Sequence, residues 1–237
     1  MTVISSIPDN INFLITCSIN GIPLYFISGL GADRRAFYKI QLPPSYEPVH
    51  LEWMQPLPNE SLAEYAKRFS QLIKSDEDFI LIGLSFGGML ASEIAKIIPP
   101  KKIIIISSLG SSKEQPWYFK LAGRMGLHKF ILPAIYKRAT LLNRFMGAGN
   151  KEMKAIVYSY VNNIDPKFIK WSLHVIVNWE HKERHPNLVH IHGSNDHLIP
   201  CRYVKADYIV EKGGHLMVMN RANEVNRILE EILVSGE

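Results

Sequence analysis

The stretch Phe79-Ile80-Leu81-Ile82-Gly83-Leu84-Ser85-Phe86-Gly87-Gly88, running on through Met89 to Ile98, constrains this chain more than any other. Four apolar residues after the acidic run Asp76 to Asp78 read as a short buried strand, and Met89, Ala91, Ile94, Ala95 and Ile98 then recur at helical spacing. Strand must therefore pass into helix through a sharp turn. Gly83 and Gly87 stand two residues either side of Ser85, as a serine in a strained backbone conformation requires, because Cβ atoms at those flanks would clash. Such a turn lifts the hydroxyl clear of the sheet and sets it at a helix N-terminus, where free N–H groups stabilise negative charge. The plain alternative is a serine in an ordinary tight turn.

The rest of the chain supplies a frame for this turn. Two apolar runs, 11–17 and 22–28, are separated by Asn20-Gly21, which predicts a hairpin. The second leads into Ser28-Gly29-Leu30-Gly31-Ala32-Asp33, a glycine-rich loop. A short helix is expected over Ala36 to Ile40 before Pro43-Pro44, a strand over Val49 to Trp53, and a loop over Gln55 to Asn59. Ser61 and Glu64 make a capping-box pattern, followed by an apolar stripe of Leu62, Tyr65, Ala66, Phe69, Leu72 and Ile73. Pro99-Pro100 stops the helix after Ser85, and Lys102 to Ser108, with four consecutive isoleucines, reads as a strand buried on both faces. Strands alternating with helices predict a doubly wound, mostly parallel α/β sheet with its chemistry at the carboxyl ends of the strands.

Residues 109 to 186 change character. They are rich in aromatics, Lys and Arg and show helical spacing without a clear strand until Leu188. Residues 113–185 hold 13 Lys or Arg against 5 Asp or Glu, so the net charge of +5 is concentrated there. That excess would favour anionic substrates or surfaces, but a solvated helical face explains it about as well, and no nucleic-acid motif accompanies it. The sheet pattern resumes at Leu188 to Ile191 and again at Tyr208 to Val210, and residues 222–234 form a terminal amphipathic helix with Val225, Ile228, Leu229, Ile232 and Leu233 inward. With 47% hydrophobic and 21% charged residues in 237, disorder and low complexity are excluded, and one domain or one domain with a large insertion is expected. Residues 1–20 contain no Lys or Arg, and no window reaches the roughly 18 to 20 apolar residues of a membrane span. A soluble, cytoplasmic protein is the expectation. Cys17 and Cys201, far apart and without metal-ligand spacing, are expected to be reduced thiols, and neither a metal nor a cofactor is expected.

Gly83-x-Ser85-x-Gly87 on a strand-to-helix turn resembles the nucleophile elbow of the α/β-hydrolases. The resemblance implies that the loop after the strand at 22–28 donates one backbone N–H to an oxyanion hole, by position that of Leu30, and that Phe86, following the nucleophile, donates the other. Many members have His-Gly in that loop where this chain has Ser28-Gly29. His192-Gly193-Ser194-Asn195-Asp196-His197-Leu198-Ile199-Pro200 resembles the loop that carries the family's acid, which makes Asp196 the candidate, and Gly213-Gly214-His215 lies where the family places its histidine. The order Ser85, Asp196, His215 is the family's order. Of the other histidines, His50, His128, His174, His181, His185, His190 and His192 are expected to be structural or surface residues, and His197, adjoining the acid, has no route to Ser85. The resemblance also implies a helical cap inserted after the sixth core strand, so that residues 1–109 and 187–237 form the core and 110–186 the cap. Trp117, Phe119, Leu121, Phe130, Ile131, Tyr136, Phe145, Trp171 and Trp179 would supply mostly cap core, with a few lining an acyl pocket, and Gly147 to Asn150 would be a joint in the cap.

These residues suit nucleophilic catalysis because a serine hydroxyl attacks only when a base takes its proton, and imidazole titrates near neutral pH. A buried carboxylate orients the imidazole and stabilises its charged form. A serine hydrolase acting on a small-molecule ester or thioester through an acyl-enzyme is the expectation. A hydrolase-fold small-molecule receptor or pseudoenzyme is the alternative of a different class. Relatives that use an aspartate nucleophile, dehalogenases and epoxide hydrolases, are disfavoured by the serine at position 85.

Overall fold

Runs of β-branched residues bounded by turns can bury both faces only in a sheet covered on both sides. A computed structural model, describing residues 21–74, 76–126 and 151–234, shows this arrangement. The strands β1 (Ile22–Ile27), β2 (Tyr46–Leu51), β3 (Ile80–Leu84), β4 (Lys102–Ile106), β5 (Leu188–Gly193) and β6 (Tyr208–Val210) form one sheet in the order β2-β1-β3-β4-β5-β6. Every pairing among them is parallel.

Alternation along the central strands divides the core in two. Tyr25, Ile27, Leu81, Ile103 and Ile105 face one layer, with α1 (Leu62–Phe69) and α2 (Phe86–Ile94). Leu24, Phe26, Ile80, Ile82, Ile104 and Ile106 face the other, with the short helix α6 (Met217–Asn220) and the terminal helix α7 (Ala222–Val234). Each fully buried Ile or Leu contributes about 1.5–3 kcal/mol relative to exposure, so the isoleucine run of β4 alone is a large part of what holds the two layers to the sheet. Helix α1 starts where expected, because the Ser61 hydroxyl accepts from Glu64 N–H while the Glu64 carboxylate accepts from Ser61 N–H at 2.8 Å.

Two local expectations are corrected by the structure. Both edges of β1 are taken by parallel neighbours, Ile22 to Ile27 against Tyr46 to Leu51 and Leu24 to Ile27 against Ile80 to Gly83. The hairpin expected through Asn20-Gly21, with the run 11–17 and Cys17, lies outside the described residues. Strand β2 begins three residues earlier than Val49 and ends at Leu51, because Tyr46, with Ile22 as its register partner, buries its ring and donates its hydroxyl to Leu233 O. The helix expected over 36–40 is a single 3₁₀ turn, Arg34–Phe37, whose first N–H groups are capped by Asp33.

Between β4 and β5 the described residues contain three helices, α3 (Trp117–Arg124), α4 (Lys151–Asn163) and α5 (Pro166–Val177), and no strand. Helix α5 starts at Pro166 with the Asp165 side chain accepting from Lys167 N–H, and its Phe168, Ile169 and Val175 join the layer of α1 and α2. Trp179 is buried in that layer too, whereas Trp117 is 63% exposed. Phe130, Ile131, Tyr136, Phe145, His128 and the joint at 147–150 lie outside the described residues. The chain's return to β5 is tied to α2 by the buried Glu93, which accepts from Trp179 Nε1 at 2.8 Å, His181 Nδ1 at 3.0 Å and Lys96 Nζ at 2.9 Å. No described helix is long and apolar enough to cross a membrane.

Candidate active site

Strand β3 runs into α2 through Ser85, whose backbone sits at φ 52° and ψ −119°, a conformation that costs a non-glycine residue about 1–3 kcal/mol. The surroundings hold it there. Ser85 N–H donates to Ile106 O at 2.9 Å, and Ser85 O accepts from Gly88 N–H at 2.9 Å and from the Ser108 hydroxyl at 2.6 Å. The flanking glycines are required by close approach: a Cβ on Gly83 would lie 2.6 Å from Gly88 N, and one on Gly87 would overlap the Ile27 and Ser28 carbonyl oxygens. The elbow is thereby wedged against the end of β1, with Ser85 half-buried.

Two further loops meet this turn at the carboxyl end of the sheet. After β5, Asp196 is buried, and its Oδ1 accepts from Leu198 N–H at 2.8 Å and Ile199 N–H at 2.9 Å. After β6, His215 is buried with Nδ1 2.7 Å from Asp196 Oδ2 and Nε2 2.9 Å from Ser85 Oγ. The structure thus brings together the three side chains picked out in the sequence. Burial works to raise the Asp196 carboxyl, but the neighbouring His215, its hydrogen bond and the Ile199 N–H outweigh it and hold the carboxyl below the usual aspartate value. An ionised carboxylate only accepts, so it places a proton on His215 Nδ1 and leaves Nε2 as an acceptor for the serine hydroxyl.

Other histidines and carboxylates stand outside this set of three. His197 is exposed, and Asp33 is paired with Arg35 beside its own 3₁₀ turn. Asp207 pairs with Arg184 and accepts from His190 N–H. His192 is fully buried on β5 and donates from Nε2 to Ile199 O at 2.8 Å, with Asp196 Oδ2 at 3.7 Å, so it braces the acid loop from below. His190 Nε2 donates in turn to His192 Nδ1 at 3.1 Å, and burial drives both imidazoles toward their neutral forms. This prop, and Ser108 behind the elbow, carry no signal in the sequence pattern.

Phe86 opens α2, so its N–H belongs to the first turn of the helix, where no intrahelical acceptor exists. Leu30 lies in the loop after β1, which is closed by Ala32 N–H on Gly29 O at 3.0 Å and by the Ser28 hydroxyl on Ala32 O at 2.6 Å. A Cβ on Gly29 would lie 3.5 Å from Ser85 Cβ, which sets this loop directly beside the serine. Trp53, just past β2, stacks on Phe86, while Phe168 and Trp171 of α5 complete an aromatic cluster around them. Among the described residues no group of three or more His, Cys, Asp or Glu is placed to hold a metal ion.

A model of the alpha/beta hydrolase family matches residues 24–228. Among solved structures the chain is similar to a thermophilic esterase from Thermogutta terrifontis, with a TM-score of 0.69 at 14% identity over 92% of this chain and 91% of that one. It is similar to a bromoperoxidase from Bacillus anthracis, with a TM-score of 0.66 at 16% identity over 90% and 92%. MenH from S. aureus gives 0.68 at 13% identity over 91% and 94%. The three bear different names, so at these identities the likeness speaks for the fold alone. No curated protein matches the chain.

Proposed function

Since the chain belongs to the alpha/beta hydrolase family, we propose that it is a serine hydrolase that cleaves a carboxylic ester or thioester of a small molecule through an acyl-enzyme on Ser85. The observation that carries this is the unbroken line from Asp196 Oδ2 through both ring nitrogens of His215 to Ser85 Oγ, at 2.7 and 2.9 Å. Ser85 Oγ attacks the carbonyl carbon as its proton passes to His215 Nε2. Asp196 stays ionised and stabilises the imidazolium. The carbonyl oxygen, now negative, is held by the N–H groups of Phe86 and Leu30; removing one such donor typically costs about 2.7–4 kcal/mol of barrier. Collapse breaks the bond to the alcohol or thiol, which leaves with the proton from His215 Nε2. Water then repeats the sequence on the acyl-enzyme, with His215 as base, and releases the acid.

On this reading residues 110–186 are a cap over the core, as the contacts of α5 with Phe86 and Trp53 favour, and they choose the substrate. Ser85→Ala tests the assignment. The variant should lose turnover of a p-nitrophenyl ester and labelling by a fluorophosphonate probe, and a variant that keeps the wild-type rate would remove Ser85 from the chemistry. A receptor without an activated serine would leave the wild-type protein unlabelled.

A further inference from the structure

The two proposed oxyanion donors belong to segments remote in sequence, the loop 28–32 and the start of α2. One side chain touches both. Trp53 Nε1 donates to Ser28 Oγ and to Gly29 O, each at 3.1 Å, while its ring lies flat on that of Phe86 with centroids 5.2 Å apart and planes 11° from parallel. Its other neighbours keep it from turning: Phe168 meets it edge-on at 5.3 Å, and Tyr65 and Phe69 lie against it at 6.3 and 6.0 Å. The indole N–H is thus spent on the loop rather than on water.

The local hydrogen bonds lead to the same place. Ser28 Oγ accepts from the indole and donates to Ala32 O, and Gly29 O accepts from both the indole and Ala32 N–H. The four groups form one closed set around Leu30. A tight turn without Trp53 would keep only its own internal bonds. A cradle for an oxyanion needs donors 2.7–3.1 Å from one developing charge, and a misplacement of about 1 Å can cost about a hundredfold in rate.

We propose that Trp53 is a positioning residue for the oxyanion cradle, fixing the loop that carries Leu30 relative to Phe86 through its N–H and its ring face. This rests on the serine-hydrolase reading, and it assigns the pairing of the two donors to a residue whose hydrogen bonds go to the loop and not to the nucleophile or its base. Trp53→Phe keeps an aromatic ring for stacking and deletes the N–H. The rate of p-nitrophenyl butyrate hydrolysis, counted per site titrated with a fluorophosphonate, should fall about tenfold or more with KM held within about twofold. Inhibition by a trifluoromethyl ketone, which adds Ser85 to give a bound oxyanion, should weaken by the same factor. A role in packing alone would lower the fraction of active sites and leave both quantities per site unchanged, and that result would overturn the proposal.

Ser28→Ala, which removes one of the two acceptors with little change of volume, should shift both quantities the same way by less, and it serves should Trp53→Phe fail to fold. Amide exchange gives a readout free of turnover. The peptide spanning Ala32 should exchange faster in either variant, and unchanged exchange would refute the brace even in a protein with no esterase activity. Absent labelling of the wild type would instead remove the hydrolase reading.

Discussion

Replacing Asp196 with asparagine separates what this side chain holds from what it does. Oδ1 accepts the N–H groups of Leu198 and Ile199, and Oδ2 faces His215 Nδ1 at 2.7 Å. Asparagine in the same rotamer keeps its oxygen on the two backbone donors, so its NH₂ must face the imidazole. Two donors cannot share that contact. His215 would have to move its proton to Nε2 and offer Nδ1 as acceptor, and Nε2–H then points at Ser85 Oγ without being able to take its proton. A wrong tautomer in an otherwise intact Ser-His-Asp arrangement costs about 10⁴ in kcat, about 5 kcal/mol of barrier.

Asp196→Ala makes the contrast. It also deprives two N–H groups of their acceptor, at about 1–3 kcal/mol for each buried group left unpaired. Urea denaturation should therefore place the alanine variant below the asparagine variant by about 2 kcal/mol or more, although both are inactive on a p-nitrophenyl ester. Because folding lowers the Asp196 pKa, its contribution is present above the unfolded value and is lost as pH falls through the folded one. The stability gap between wild type and Asp196→Asn should accordingly close in acid. An asparagine variant within about tenfold of the wild-type kcat would refute the orienting role. Equal stability of the two variants would refute the anchoring of the loop.

Gly87→Ala should prevent the elbow from forming, since the added methyl would overlap the Ile27 and Ser28 carbonyl oxygens; insoluble protein or a large fall in Tm is expected, and a stable, active variant would contradict the packing. Glu93 feels burial, which raises its pKa, but hydrogen bonds from His181, Lys96 and Trp179 overcome it and hold the carboxyl at about 2 against an ordinary 4.5. That shift corresponds to about 3 kcal/mol of stability, present above pH 4.5 and lost as pH falls toward 2. Glu93→Gln should be less stable at pH 7 and should show a shallower loss across that range in chemical denaturation at stepped pH; an unchanged pH profile would place the acid sensitivity elsewhere.

Features decided by a few neighbouring residues were legible in the sequence. The capping box at Ser61, the strand-to-helix turn at Ser85 and the stripe of the terminal helix each depend on spacing within one or two turns of backbone. Tyr46 follows two prolines and reads as loop until β1 lies beside it and Leu233 O receives its hydroxyl. Trp53 is of the same kind. Its role depends on acceptors more than twenty residues earlier in the chain, which adjacent parallel strands bring within reach.

The candidate site shows how the two kinds of information combine. Gly193 is visible in the sequence as part of the loop that carries Asp196, but the reason for a glycine there is a contact with the loop that carries His215: a Cβ would overlap Gly213 O. The same carbonyl accepts from Asn195 N–H at 2.9 Å, one residue before the acid. The loop carrying Asp196 and the loop carrying His215 are therefore joined backbone to backbone before their side chains meet. Steric room at one position and a hydrogen bond two residues on fix the separation that the 2.7 Å contact between carboxylate and imidazole needs. A glycine without any side chain thus sets the geometry on which the contact between Asp196 and His215 depends.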